Sequence, residues 1–301
     1  MNTSSNKVRR KRLIKVLLKE LFTQYIEFST MPRIYLNSFP KGGTLLTTKL
    51  LSLLNFRPTF IINSNWFIGR DGIIYRLTRG ARKYNDYVMI GIDLPIPLRA
   101  SWLEQKLSVI PAGYLVSGHI GYSDHIAHIF HSNGFKFIQV IRDPRDIAVS
   151  HAHYWSETPS HFGYKHYQRI AGWNERLSFS ISGGPIEGLG YLESIRTRAR
   201  SVEGWMCRKD VLTIRFEDLV GAKGGGSADR QINTITKMCE FLNIEVKQDQ
   251  IKNIQETLFG GTPTFRKGQV GGWINEFSDE NLRLFDEVTG TLLYDWGYID
   301  R

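Results

Sequence analysis

The chain has 301 residues, 42% apolar and 23% charged, with two cysteines, Cys207 and Cys239, and a net charge of +10. This composition excludes a disordered, collagenous or coiled-coil chain and a disulfide scaffold. No run reaches the roughly 18 apolar residues of a membrane span, and no apolar stretch ends in a small-residue cleavage site, so a cytoplasmic, reducing setting is expected. Residues 1–30 carry seven basic side chains (Lys7, Arg9, Arg10, Lys11, Arg12, Lys15, Lys19) against Glu20 and Glu27, which is half of the positive excess. The surplus suits an anionic partner: nucleic acid, an acidic membrane or a multiply phosphorylated ligand. Within that segment Leu13, Leu17, Leu18, Leu21, Tyr25 and Phe28 recur at helical spacing. Two readings of residues 7–28 stand: a basic amphipathic helix on an anionic membrane surface, or a terminal helix packed on the core with a solvated face.

Arg33–Phe39 reads as a buried strand, Pro40-Lys41-Gly42-Gly43-Thr44 as a turn, and Leu45–Leu54 as an apolar helix. Gly113–Ser117 predicts a strand, Ser123–His131 a helix and Phe135–Ile141 a third strand. Asp143 then suits an N-cap and Pro144 the first helical position. Val211–Phe216 predicts a fourth strand. Ile232–Leu242 and Asp279–Leu293 predict helices, the second capped by Ser278. Gly221–Asp229, with its glycine triplet, reads as a flexible loop. Residues 57–110 are mixed, and 156–195 are rich in His, Tyr and Gly. Alternating strands and helices imply an α/β fold with a mostly parallel sheet. The domain division expected is a basic extension over 1–30 and a single domain over 31–301.

Three segments carry anion-binding chemistry. Lys41-Gly42-Gly43-Thr44 sits where a strand feeds a helix, so backbone N–H groups, the helix dipole, a lysine charge and a threonine hydroxyl converge there. Its spacing differs from a Walker loop, because the lysine precedes the glycines. Arg142 ends the third strand, and Ser150 follows about two helical turns later; together they suit one phosphate. Phe265-Arg266-Lys267-Gly268 through Gly271-Gly272-Trp273 places two cations before permissive backbone. The histidines at 125, 128, 131, 151 and 153 have no accompanying carboxylate or CxxC set, so no metal is expected.

In order and separation, Ser38–Thr44, Arg142–Ser150 and Phe265–Trp273 resemble the three motifs of the PAPS-dependent sulfotransferases of the cytosolic type, PAPS being 3′-phosphoadenosine 5′-phosphosulfate. The resemblance covers about residues 33–298. It implies a P-loop-NTPase-like three-layer fold with helices flanking a central sheet. It implies further that Lys41, Gly42, Gly43 and Thr44 cradle the 5′-phosphosulfate, with Leu45 and Leu46 nearby. Arg142 and Ser150 would hold the 3′-phosphate, Arg266, Lys267 and Gly268 would close over it, and Phe216 would lie near the adenine. His119, which precedes Arg142 by 23 residues, matches the family's catalytic histidine. This chain departs from the family pattern in having glycine at 42 where serine is usual, leucine for an aromatic at the end of the first motif, and Ser117 where a lysine often precedes the histidine.

The implied reaction moves a sulfuryl group from PAPS to a hydroxyl or amine, with His119 as general base and Lys41 stabilising the bridging oxygen, and it needs no metal. A small-molecule acceptor is expected, its pocket formed by segments 57–95 and 155–195, with Trp66, Tyr84, Tyr154, Trp155, Phe162 and Tyr164 as lining or core aromatics. A glycan or lipid at a membrane surface is the alternative acceptor. The rival classes are a basic nucleic-acid-binding protein and a kinase using the Lys41 turn. No nucleic-acid-binding motif is present.

Overall fold

A computed structural model describes residues 30–62, 86–263 and 265–300. The basic segment 7–28, Trp66 and Tyr84 lie outside the described residues. The chain order begins with β1 (Arg33–Ser38), α1 (Thr44–Leu53), β2 (Arg57–Ile62), β3 (Tyr87–Ile90), β4 (Ile96–Arg99) and α2 (Ala100–Ser108). It continues with β5 (Tyr114–Gly118), α3 (Asp124–Ser132), β6 (Phe135–Ile141), α4 (Pro144–Glu157), α5 (Tyr164–Arg169), α6 (Trp173–Ser182), β7 (Gly184–Ile186) and β8 (Gly190–Leu192). It ends with α7 (Ile195–Arg200), α8 (Glu203–Met206), β9 (Val211–Arg215), α9 (Phe216–Leu219), α10 (Ala228–Leu242), α11 (Gln248–Leu258), α12 (Asp279–Thr289) and α13 (Leu292–Asp295).

Five strands pair in parallel in the order β2-β5-β1-β6-β9. Their sequences explain why. In β1, Ile34 and Leu36 face one apolar cluster and Tyr35 the other, all fully buried. In β6, Ile138 and Val140 face the first cluster, and Phe137 and Ile141 the second. A strand apolar on both faces needs a covering layer on each. On one face α1, α10 and α11 supply Leu50, Leu51, Ile235, Met238, Ile251 and Ile254. On the other face α3, α4 and α6 supply Phe130, Ile147, Trp155 and Leu177. The fold is therefore a three-layer α/β structure of P-loop-like type, as the resemblance implied.

Chain connections place the site. The crossovers leave β1 in opposite directions, β2 and β5 to one side and β6 and β9 to the other, which opens a crevice at the carboxyl ends of the strands. Lys41 follows β1, His119 follows β5, Arg142 follows β6, and Phe216 follows β9.

Several local readings change. The Gly221–Asp229 segment contains a 3-10 turn, Ala222–Gly224, and α10 begins at Ala228, capped by the Ser227 hydroxyl. The turn is held because Gly224 O accepts from Val270 N–H at 2.9 Å and Lys223 O accepts from Gln269 Nε2 at 3.1 Å. A helix not foreseen, α11, presents Ile251, Ile254 and Leu258 to the core. The long C-terminal helix stops at Thr289, where Gly290 adopts φ 56°.

Candidate active site

The phosphate-type turn closes when Gly42 N–H donates to Phe39 O at 2.8 Å. Lys41 (φ 69°) and Gly43 (φ 115°) both take left-handed backbone, which turns the strand end into the start of α1. Gly42 is hemmed in: a Cβ there would sit 2.8 Å from Phe39 O. Thr44 opens α1 and is buried, its Oγ1 2.5 Å from Ser38 Oγ. The Lys41 ammonium rests over the Tyr154 ring, 3.9 Å from its centroid. Burial, followed by the Arg142 and Arg266 charges, lowers its pKa to about 8 against the opposing pull of Asp93 and Glu157.

His119 is set by the end of β5. Its own N–H donates to Ile62 O at 3.1 Å. The next residue, Ile120, is clamped by the buried Asn37 side chain, which accepts from Ile120 N and donates to Ile120 O, both at 2.9 Å. Trp205 Nε1 donates to the same carbonyl at 3.1 Å. His119 Nδ1 lies 2.8 Å from Ser38 O. A carbonyl only accepts, so Nδ1 carries the proton and Nε2 keeps its lone pair in the neutral ring. Burial lowers the imidazole pKa, and Lys41 pushes the same way; the Ser38 bond and Asp93 oppose them. The neutral base form therefore dominates at neutral pH. Ser38 Oγ also lies 3.3 Å from Nδ1, joining His119 to Thr44 through one hydroxyl.

The Arg142–Ser150 segment divides its labour. The Asp143 side chain accepts from Arg145 N at 2.8 Å and caps α4, with Pro144 in the first turn. Arg145 pairs with Asp143 and stacks on Trp273, 4.2 Å from the ring centroid. Buried Asp146 accepts from Gly271 N at 2.9 Å and Trp273 N at 3.0 Å, and so fastens the C-terminal loop to α4. Arg142 donates to Lys41 O at 3.3 Å and Gln269 O at 3.1 Å, and its guanidinium lies 4.3 Å from the Phe216 ring centroid. Its Nε–H is buried without a partner. An unsatisfied, charged donor of this kind fits an anion.

Lys41, Gly43, Thr44, Leu45, His119, Arg142, Ser150, Phe216, Arg266, Lys267 and Gly268 line one cleft. Gly42 is not among the lining residues. Tyr154 and Trp155 line it too, whereas Phe162 packs against the core. The expected pocket segments 57–95 and 155–195 do reach the cleft, but beyond Trp155 they do so through Ile61, Ile92, Asp93 and His161, none of which was singled out. Val220, Phe259, Gly260 and Thr262 line it from outside those segments, and His151 lines it from α4. Arg198 Nη1 donates to Asp93 Oδ1 at 2.7 Å, and His151 Nε2 faces Asp93 Oδ2 at 3.5 Å. Burial opposes ionisation of Asp93, but His151 and Arg198 hold its pKa well below the usual range. Burial pushes His161 down to about 3. The only sequence signal was a lone Asp between apolar residues, Ile92-Asp93-Leu94. Among the described residues no group of three or more His, Cys, Asp or Glu side chains is arranged to hold a metal ion, and no helix is long and apolar enough to cross a membrane.

Comparisons with known proteins place the sequence and the fold. Mouse sulfotransferase 6B1 is 28% identical over 208 residues, 64% of this chain and 63% of the relative's length. The human 6B1 enzyme is 25% identical over 239 residues, 74% of this chain and 70% of the relative. Among solved structures, mouse sulfotransferase SULT7A1 complexed with PAP superposes with a TM-score of 0.59 at 21% identity, covering 89% of this chain and 87% of that one. Retinol dehydratase in complex with androsterone and the inactive cofactor PAP superposes at 0.53 and 15% identity, covering 89% and 83%. The family model of the sulfotransferase domain matches residues 31–297, so the chain belongs to the sulfotransferase domain family.

Proposed function

We propose that this protein transfers a sulfuryl group from PAPS to a hydroxyl or amine of a small-molecule acceptor. The observation that carries this reading is the meeting of all three anion-binding segments with a neutral histidine in one cleft. The relatives named sulfotransferases and the neighbour solved with PAP support it. The unpartnered Arg142 Nε and the Thr44 hydroxyl at a helix N-terminus are the donors such a nucleotide needs.

On this reading the first turn receives the 5′ end of the nucleotide. Thr44 and the first amides of α1 donate to it. Arg142, Ser150, Arg266 and Lys267 take the 3′-phosphate, Gly268 lets the loop close there, and Phe216 lies against the adenine. His119 Nε2 accepts the acceptor's proton as the new bond to sulfur forms and the bond from sulfur to the bridging phosphate oxygen breaks. Lys41 stabilises the charge growing on that oxygen. The products are the sulfated acceptor and 3′-phosphoadenosine 5′-phosphate, PAP. The acceptor side is walled by Ile61, Ile92, Tyr154 and Trp155, with Asp93 and His161 as polar groups. This mixture suits a compact, partly aromatic molecule.

Calorimetry with PAP against ATP tests the nucleotide, and an acceptor screen with PAPS, read by the mass gain of one sulfuryl group, tests the transfer. PAP is expected to bind and ATP to bind far more weakly; preference for ATP would replace the assignment with a kinase. His119→Ala is expected to abolish transfer while PAP affinity stays within about twofold, since no nucleotide hydrogen bond is removed. Full activity in that variant would remove His119 from the mechanism.

A further inference from the structure

Glu276 stands beside the cleft rather than in its lining, yet it holds two of the cleft's cations. Its Oε1 lies 3.2 Å from Lys267 Nζ and 3.6 Å from Arg266 Nη1. The same oxygen is 3.6 Å from His153 Nε2. His153 follows Ser150 by three residues on α4, so the two share a helix face. The histidine is itself fixed, with Nδ1 2.8 Å from Glu157 Oε1 and its ring 4.1 Å from that of Trp173. Glu276 is anchored in the backbone as well, its N–H donating to Trp273 O at 3.0 Å after the 3-10 turn Gly272–Asn275. Exposure separates the partners: the Glu276 side chain is 16% exposed, Arg266 33% and Lys267 59%. The anion is thus the fixed member, and the cations are the ones with room to swing. Burial works against the charge on Glu276, but the Lys267 bond and the His153, Lys267 and Arg266 charges outweigh it and hold the carboxyl below its usual range.

We propose that Glu276 is a place-holding carboxylate for the nucleotide's 3′-phosphate. It engages Arg266 and Lys267 in the empty cleft, competes for them with the incoming phosphate, and recaptures them as PAP leaves. This rests on the nucleotide assignment above. Two partly exposed ion pairs are individually weak, so the doubly charged phosphate wins them when it binds. The exchange nonetheless subtracts from affinity, and the carboxylate left beside the phosphate repels it. Glu276 thereby sets how tightly the 3′-phosphate is gripped and how fast the product is released. Nothing in this role touches the sulfuryl group, so Glu276 is a specificity and release residue, not a catalytic one.

The test compares wild type with Glu276→Gln, titrated with PAP and with AMP, which lacks the 3′-phosphate, and followed by rapid-mixing dissociation of PAP. The variant is expected to bind PAP about three- to tenfold more tightly and release it more slowly, with AMP affinity unchanged, which is the scale of two partly exposed pairs. Glu276→Asp, which keeps the charge, is expected to stay near wild type. Weaker or unchanged PAP binding by Glu276→Gln would overturn the proposal. An equal gain for AMP, or an equal gain in Glu276→Asp, would overturn it too, since either would trace the effect to something other than charge at the 3′-phosphate. Wild-type protein that binds PAP no better than AMP would remove the nucleotide assignment itself, and this inference with it.

Discussion

On the proposed nucleotide assignment, Lys41 makes the pH dependence of binding calculable. The free protein holds it at about 8, because burial and the charges of Arg142 and Arg266 disfavour the ammonium. A bound polyanion stabilises that ammonium, so its pKa rises in the complex and binding takes up a proton. The sign follows: affinity is level below pH 8 and falls above it, as the free lysine loses its charge. At pH 8 about half of the free protein carries the ammonium, so affinity is about half its plateau; by pH 9 it is about a tenth, a loss of roughly 1.4 kcal/mol per pH unit. Calorimetric titration with PAP from about pH 7, above the second phosphate ionisation near pH 6, to about pH 9.5 reads the slope. Buffers of different ionisation enthalpy read the proton uptake. Lys41→Met should bind more weakly with a flat profile, and Lys41→Arg should also be flat, its guanidinium staying charged throughout. A flat wild-type profile, or the same slope persisting in Lys41→Met, would refute the assignment.

Further outcomes follow from the same contacts. Arg142→Ala should weaken PAP binding by about 1.5–3 kcal/mol, roughly ten- to a hundredfold, with AMP much less affected; equal losses for both nucleotides in calorimetry would place Arg142 elsewhere. Ser38→Ala keeps the carbonyl that orients His119 but removes the hydroxyl beside Thr44. It should cost about 1 kcal/mol of PAP affinity, near fivefold, and unchanged affinity would show that the Ser38 hydroxyl does not position Thr44 for the nucleotide. Arg198→Ala removes the closer of Asp93's two buried partners and leaves His151, and stability in thermal unfolding should fall by about 3 kcal/mol, on the order of 10 °C. Because Asp93 is held below its usual range, its contribution is fully present above the ordinary carboxylate value of about 4 and is lost progressively as pH falls below that toward the depressed folded value, so the difference between variant and wild type should shrink only in strong acid.

Strands with apolar residues on both faces, and the Asp143-Pro144 start of α4, were legible because they depend on neighbours in sequence. The same holds for Lys41 in the turn after β1 and Arg142 directly after β6, whereas Phe216 was singled out only through the family resemblance. Asp93 and His161 were not legible: they sit in segments without periodicity, and Asp93 owes its place in the cleft to an arginine 105 residues away. The glycine triplet misled for a related reason. Glycine reads locally as freedom, yet a Cβ on Gly224 would lie 2.7 Å from Gly268 O. Close packing against the cation loop, not flexibility, accounts for it. Helix α11 was overlooked despite its spaced isoleucines, because polar residues dominate the segment.

The ring of Phe216 lies 2.9 Å from where a side chain on Gly43 would begin. Two positions 173 apart are therefore a matched pair, and neither can be exchanged alone. Enlarging residue 43 would drive the aromatic out of its seat beside Arg142, and shrinking residue 216 would leave a hole under the turn. Any attempt to transplant a bulkier anion-binding turn into this scaffold must trim the ring in the same step. Trimming the ring alone would not suffice, because the backbone at position 43, with φ 115°, itself favours glycine.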